Sequence, residues 1–92
     1  MTIKPREYFV NFSTVTDRAT LHDKLRGCLA LPPYYGANLD ALHDCLTSMG
    51  PAVITLSGLR WLEPLGSYGT LVLRVFREAA EESSSLTVIE ND

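Results

Sequence analysis

Asp40, His43, Asp44 and Thr47 stand at i, i+3, i+4 and i+7. A helix beginning near Asn38 therefore places all four on one face. Leu39, Leu42 and Leu46 repeat at the same spacing on another face, flanked by Cys45. Tyr34 and Tyr35 occupy the turn just before, and no Lys or Arg lies between Gly27 and Gly50. Carboxylates without cations of their own, set beside aromatics, are suited to accept charge-assisted hydrogen bonds from a basic partner. Asp40, His43 and Asp44 also have the spacing of metal ligands on a helix, but no further His or Cys is at hand to complete a site. There is no CxxC and no Cys/His cluster at zinc spacing. No Ser-His-Asp or Cys-His arrangement and no glycine-rich phosphate loop occurs, so the sequence offers no catalytic constellation and no cofactor motif.

Each of these residues also has a simpler role. Asp40 near a helix start opposes the helix dipole. Asp44 in mid-helix fits a solvated polar face. Asn38 is suited to cap the helix. Glu78, Glu81 and Glu82 fit a solvated helix face paired at i+4 with Arg74 and Arg77. Glu82 has Glu78 rather than a base four residues before it, which makes it the freest of the three. His22, beside Leu21, reads as a structural hydrogen-bonding histidine. Tyr34 and Tyr35 also fit half-buried turn aromatics, a role that one of the two can keep, and Trp61 and Tyr68 read as packing residues.

The net charge is −3, and its distribution says more than its size. Residues 1–26 hold five bases and three acids, and residues 27–50 hold two acids and no base. Residues 51–77 hold three bases and one acid, and residues 78–92 hold five acids and no base. If the two acidic segments meet in space they make a negative patch, which steers basic partners and repels nucleic acid.

The elements that must position these residues follow from the apolar pattern. Tyr8–Phe12 reads as a strand. Thr20–Cys28 reads as a helix capped by Thr20, with Asp23 three residues on and Leu21, Leu25 and Cys28 on its apolar face. Pro32 and Pro33 break the chain, and the second helix runs from Asn38 to Ser48, closed by Gly50 and Pro51. Ala52–Leu56 is a buried strand by its length and branched residues. Leu59–Leu65 forms a short helical turn or a loop. Tyr68–Glu82 is the longest helix, with Val72, Val75, Phe76 and Ala79 as its core stripe, and Leu86–Ile89 is a last strand. Strands separated by helices require right-handed crossovers and a parallel sheet. The expected architecture is α/β, a small three-stranded parallel sheet with three to four helices on one side, formed by residues 1–92 as one domain. No apolar run approaches the roughly 20 residues of a membrane span, and Met1–Arg6 lacks the apolar stretch of a secretory leader. Cys28 and Cys45 in apolar patterns read as reduced, buried thiols of a cytoplasmic protein, with a single disulfide or a redox role as the alternative.

The run Leu29-Ala30-Leu31-Pro32-Pro33-Tyr34-Tyr35-Gly36-Ala37-Asn38-Leu39-Asp40-Ala41-Leu42-His43-Asp44-Cys45-Leu46-Thr47 closely resembles the signature of the barstar family, intracellular inhibitors of secreted microbial ribonucleases such as barnase. The likeness reaches upstream to Leu21-His22 and downstream through Val75-Phe76-Arg77-Glu78-Ala79, with a shorter loop between Pro51 and Tyr68. It implies a three-stranded parallel sheet packed with helices. It also implies that the second helix and its preceding turn plug a guanyl-specific ribonuclease. Carried over, Tyr34 and Tyr35 are aromatic contacts and Asn38 and Asp40 polar contacts at the helix start. Asp44 is the central carboxylate, with Thr47 and Glu82 on either side. The central rank of Asp44 comes from the resemblance and not from the spacing. His43 and Met49 stand where the family has tryptophans, which bears on the identity of the partner, and His43 remains a candidate contact beside Asp44. Cys45 matches a family cysteine, Ser84 replaces a second, and Cys28 has no counterpart.

The implied chemistry is charge mimicry. A ribonuclease surrounds the scissile phosphate with Arg, Lys and His, and a carboxylate on a rigid helix takes the phosphate position. The implied partner is an extracellular-type microbial ribonuclease with a basic cleft, bound one-to-one by a chain that is monomeric when free. Neither nucleic acid nor membrane is an expected partner. The alternative is an immunity protein on the same scaffold, directed against a toxin that is not a ribonuclease.

Overall fold

The computed structural model describes residues 4–91. The middle strand shows how the layers arise. β2 (Ala52–Ser57) alternates buried and half-buried residues, with Ala52, Ile54 and Leu56 inward. That period-two pattern is the mark of a sheet covered on one face. β1 (Arg6–Asn11) and β3 (Leu86–Glu90) pair with β2 on either side, both parallel, in the order β1-β2-β3. Tyr8, Ile54 and Val88 are register partners on the covered face. Phe9, Thr55 and Ile89 are register partners on the other face, where Phe9 and Ile89 are exposed. The helices therefore cover one side, as the sequence predicts.

α1 (Arg18–Cys28) starts half a turn earlier than predicted. Asp17, not Thr20, is the N-cap: its carboxylate accepts the Thr20 N–H at 2.8 Å, and the Thr20 hydroxyl oxygen accepts the Asp17 N–H at 3.1 Å. Both residues are good cap formers. The reciprocal pair satisfies two donors that a helix start leaves open, an arrangement worth about 1 kcal/mol. Hydrogen bonding to Thr20 holds the Asp17 carboxyl below its ordinary range. α2 (Leu39–Ser48) has Asn38 as N-cap, as predicted. Leu59–Leu65 is a 3-10 turn containing Pro64. Trp61 is exposed, so the buried residue of that turn is Leu62, and the packing role predicted for Trp61 is not found.

α3 (Ser67–Glu82) buries Gly69, Val72, Phe76 and Ala79, while Val75 of the predicted stripe is only half-buried. A Cβ at Gly69 would stand 2.4 Å from the Leu62 carbonyl oxygen, which explains a glycine inside this helix. α3 packs along α2, and both rest on the covered sheet face. The core joins Val10 and Phe12, Leu21 and Leu25 of α1, Leu42 and Leu46 of α2, and Val72 and Phe76 of α3. Each such side chain contributes about 1.5–3 kcal/mol by leaving water. Arg77 donates two hydrogen bonds of 2.7 Å to the Glu90 carboxylate. It thereby ties α3 to β3, not to Glu81 as the i+4 pattern predicts. Cys28 and Cys45 are free and half-buried, less enclosed than their apolar settings imply. Among the described residues no helix is long and apolar enough to cross a membrane.

Candidate partner-binding face

The turn into α2 separates the two tyrosines. The Tyr35 N–H donates to the Pro32 carbonyl at 3.0 Å, closing a turn that points the adjacent side chains in opposite directions. Tyr34 is 86% exposed, whereas Tyr35 is 5% exposed and belongs to the core. The Tyr35 hydroxyl meets His22 Nδ1 at 2.5 Å, and the Tyr68 hydroxyl meets His22 Nε2 at 2.6 Å. A neutral imidazole offers one donor and one acceptor, so one tyrosine donates to it and the other accepts. Burial pushes His22 below the ordinary histidine range and the Tyr35 hydroxyl well above the ordinary tyrosine range. The structural role predicted for His22 is found. The surface role predicted for Tyr35 is not, because its ring is enclosed and its hydroxyl is held inside.

Ala37 closes the turn with φ +53°, a left-handed conformation in which a side chain costs about 1 kcal/mol or more. Asn38 follows, and its side chain works on both sides of the cap. Its Oδ1 accepts the Ala41 N–H at 2.8 Å and its Nδ2 donates to the Gly36 carbonyl at 3.3 Å. The strained turn is thus fastened to the first turn of the helix, and Tyr34 is aimed from a fixed base.

Asp40 and Asp44 project from the exposed face of α2, and the Asp44 side chain is 84% exposed. Among the described residues, the ion-pair neighbour of Asp44 is His43, whose Nδ1 lies 3.9 Å from its Oδ1. The Thr47 hydroxyl donates back to the His43 carbonyl at 3.0 Å, so it is engaged within its own helix. His43 Nε2 is hydrogen-bonded to the Glu82 carboxylate of α3. Glu82 is therefore joined to α2 instead of standing free. The bond to Glu82 raises His43 above the ordinary histidine range, with the charges of Glu82 and Asp44 adding to the effect. Through this contact the end of α3 meets α2, and Glu82 is held beside the part of α2 that carries Asp44.

Two hollows flank the face. Tyr34 and Asp44 line one of about 450 Å³, together with Arg6, Tyr8, Cys45 and Met49. Asn38 and Asp40 line another of about 600 Å³ with Asp23, Arg18, His22 and Tyr68. The Arg18 guanidinium stacks on the Tyr68 ring, 4.2 Å from its centroid. Arg6 and Arg18 are absent from the sequence-based site because each reaches it from a distant element. Nothing local marks them. Among the described residues no three His, Cys, Asp or Glu side chains converge on a metal position.

The face is thus an α/β layer that carries an acidic helix and an outward tyrosine. The family model described as Barstar (barnase inhibitor) matches residues 6–89. A protein of Bacillus subtilis strain 168 named "Putative ribonuclease inhibitor YrdF" is 48% identical over 65 residues, covering 67% of this chain and 71% of that one. This chain belongs to the barstar family. The family description and the relative's name are those of inhibitors.

Proposed function

We propose that this chain inhibits a guanyl-specific microbial ribonuclease one-to-one, without catalysis of its own, in the cytoplasm of a cell that makes or meets the enzyme. The observation that carries this reading is Asp44, a carboxylate almost wholly exposed in the middle of a rigid helix with no Lys or Arg paired to it among the described residues. Asp40 lies one turn away and Tyr34 stands at the rim of the same hollow.

Asp44 takes the position of the scissile phosphate and accepts hydrogen bonds from the enzyme's cations. Tyr34 packs against the wall of the cleft, and Asp40 and Asn38 meet the groups at its edge. Thr47 and Glu82 flank Asp44 and are engaged within the chain, so they contribute by shape and field before they contribute direct bonds. The cost to the enzyme of losing such a carboxylate is large, because its own cations are left buried and unpaired. Tyr35 acts indirectly by holding the turn.

The test is inhibition. Increasing amounts of the purified chain are added to barnase and to a small panel of guanyl-specific microbial ribonucleases, and RNA cleavage is followed. The expected result is loss of activity that is complete at one equivalent for at least one enzyme. Full activity throughout the panel at excess inhibitor overturns the reading and leaves an immunity role against another class of toxin.

A further inference from the structure

The side chain of His43 bridges two helices and faces two carboxylates. Its Nε2 is bonded to Glu82 of α3, its Nδ1 is turned toward Asp44, and Asp40 lies one turn back on α2. The imidazole is half-buried, with 32% of its side-chain surface exposed. The Thr47 hydroxyl is spent on the His43 carbonyl and supplies no donor to the ring. Among the described residues, Glu82 from α3 and Asp44 from α2 are thus the charged groups paired with it, with Asp40 one turn back on α2.

We propose that His43 is a positioning residue that clasps Glu82 and sets how much negative charge this face offers a cationic partner. For its partner, the proposal rests on the inhibitor reading. The protonated ring donates from Nε2 to Glu82 and presents a second N–H toward Asp44, so a single positive charge offsets part of the field of three carboxylates. The neutral ring keeps the bond to Glu82 and gives up the Nδ1 proton, which leaves Asp44 and Asp40 undiminished. A partner cation that approaches Asp44 and Glu82 weakens the hold of both carboxylates on the imidazolium. Binding then expels a proton from His43, and by reciprocity deprotonation of His43 strengthens binding. The bond to Glu82 places this exchange above the usual histidine range.

Two experiments on the full chain test the proposal. In the first, His43 of the free protein is titrated by NMR. The chain has two histidines, and a His43→Gln variant assigns them. His43 is expected to titrate above an ordinary histidine, and Glu82→Gln is expected to bring it back down. An ordinary titration that is indifferent to Glu82→Gln overturns the clasp.

In the second, barnase is the probe. Calorimetry near neutral pH in buffers of different ionisation heat counts the protons exchanged on binding. The wild type is expected to release more than His43→Gln, which keeps a hydrogen bond to Glu82 but carries no proton charge. Wild-type affinity should also rise about two- to five-fold more than that of His43→Gln between about pH 6 and 9, the range that exposed ion pairs support. Comparing the variants removes the titration of the enzyme's own histidines. Equal proton counts and parallel pH profiles overturn the proposal, since a purely structural His43 would give that result. Failure of barnase to bind either form defeats the inhibitor reading for this enzyme, and the free-protein titration still decides the clasp.

Discussion

Tyr35 Oη lies 2.5 Å from His22 Nδ1, and this contact between α1 and the turn before α2 decides which of two adjacent tyrosines faces a partner. His22 is 3% exposed and its other nitrogen is taken by Tyr68. The turn is therefore held from inside the core while Tyr34 remains outside.

Stability should separate the two tyrosines. Tyr35→Phe removes the partner of a buried ring nitrogen, and leaving such a group unsatisfied costs about 1–3 kcal/mol. Tyr34→Ala touches no core residue and should fall within about 0.5 kcal/mol of wild type. Urea unfolding of both variants checks the difference. Equal midpoints would mean that the Tyr35–His22 contact does not hold the turn.

The two histidines should give stability opposite pH dependences. Burial lowers the pKa of His22, so the unfolded chain binds a proton more readily. Its contribution is present above the unfolded value near 6.5 and is lost as pH falls from there through the folded value. The Glu82 bond raises the pKa of His43, so its contribution is present below the unfolded value and is lost as pH rises through the folded one. Asp17 and Glu90, held low by Thr20 and by Arg77 respectively, lose theirs only on further acidification. Urea midpoints followed across pH for His22→Gln and His43→Gln resolve the two. Each variant should flatten one limb of the wild-type profile and spare the other.

Much of the fold is legible in the sequence because the leucine spacing of α2, the apolar run of β2 and the Pro and Gly breaks are local signals. What is not legible is decided at a distance. Tyr34 and Tyr35 are identical residues side by side, and only His22, thirteen positions earlier, distinguishes them. Glu82 reads as free from its own helix, yet His43 of α2 holds it. Arg77 has Glu81 four residues on and takes Glu90 of β3 instead, through two parallel hydrogen bonds. Even the local misreading at α1 has this character, since Asp17 and Thr20 are each competent caps and the reciprocal pair settles the order.

Gly69→Ala should destabilise the chain by about 1–3 kcal/mol, because its methyl group meets the Leu62 carbonyl where α3 crosses the 3-10 turn. Thermal unfolding measures it. A variant as stable as wild type would show that this contact gives way without cost.

Association with the nuclease should be fast and sensitive to salt. Glu82 is held at His43, next to Asp44, and a coherent negative field steers a cationic cleft, an effect for which barnase and barstar are themselves a type case. Stopped-flow rates between about 0.05 and 0.5 M salt test it, since the screening length becomes short across that range. Rates that stay flat would mean that the field does not act as one.

The central claim is that Asp44 stands in for phosphate in the enzyme's cleft. Its most direct test is calorimetric titration of an inhibited ribonuclease with wild type and with Asp44→Ala, alongside urea unfolding of both. The wild type should bind one-to-one. Asp44→Ala should lose more than about 2 kcal/mol, roughly 30-fold in affinity, while unfolding at the same urea concentration, since an exposed mid-helix side chain secures no core. That expectation for a central carboxylate is drawn in part from barstar itself, so the ranking is inherited from the family. Binding by Asp44→Ala within tenfold of wild type would contradict the account.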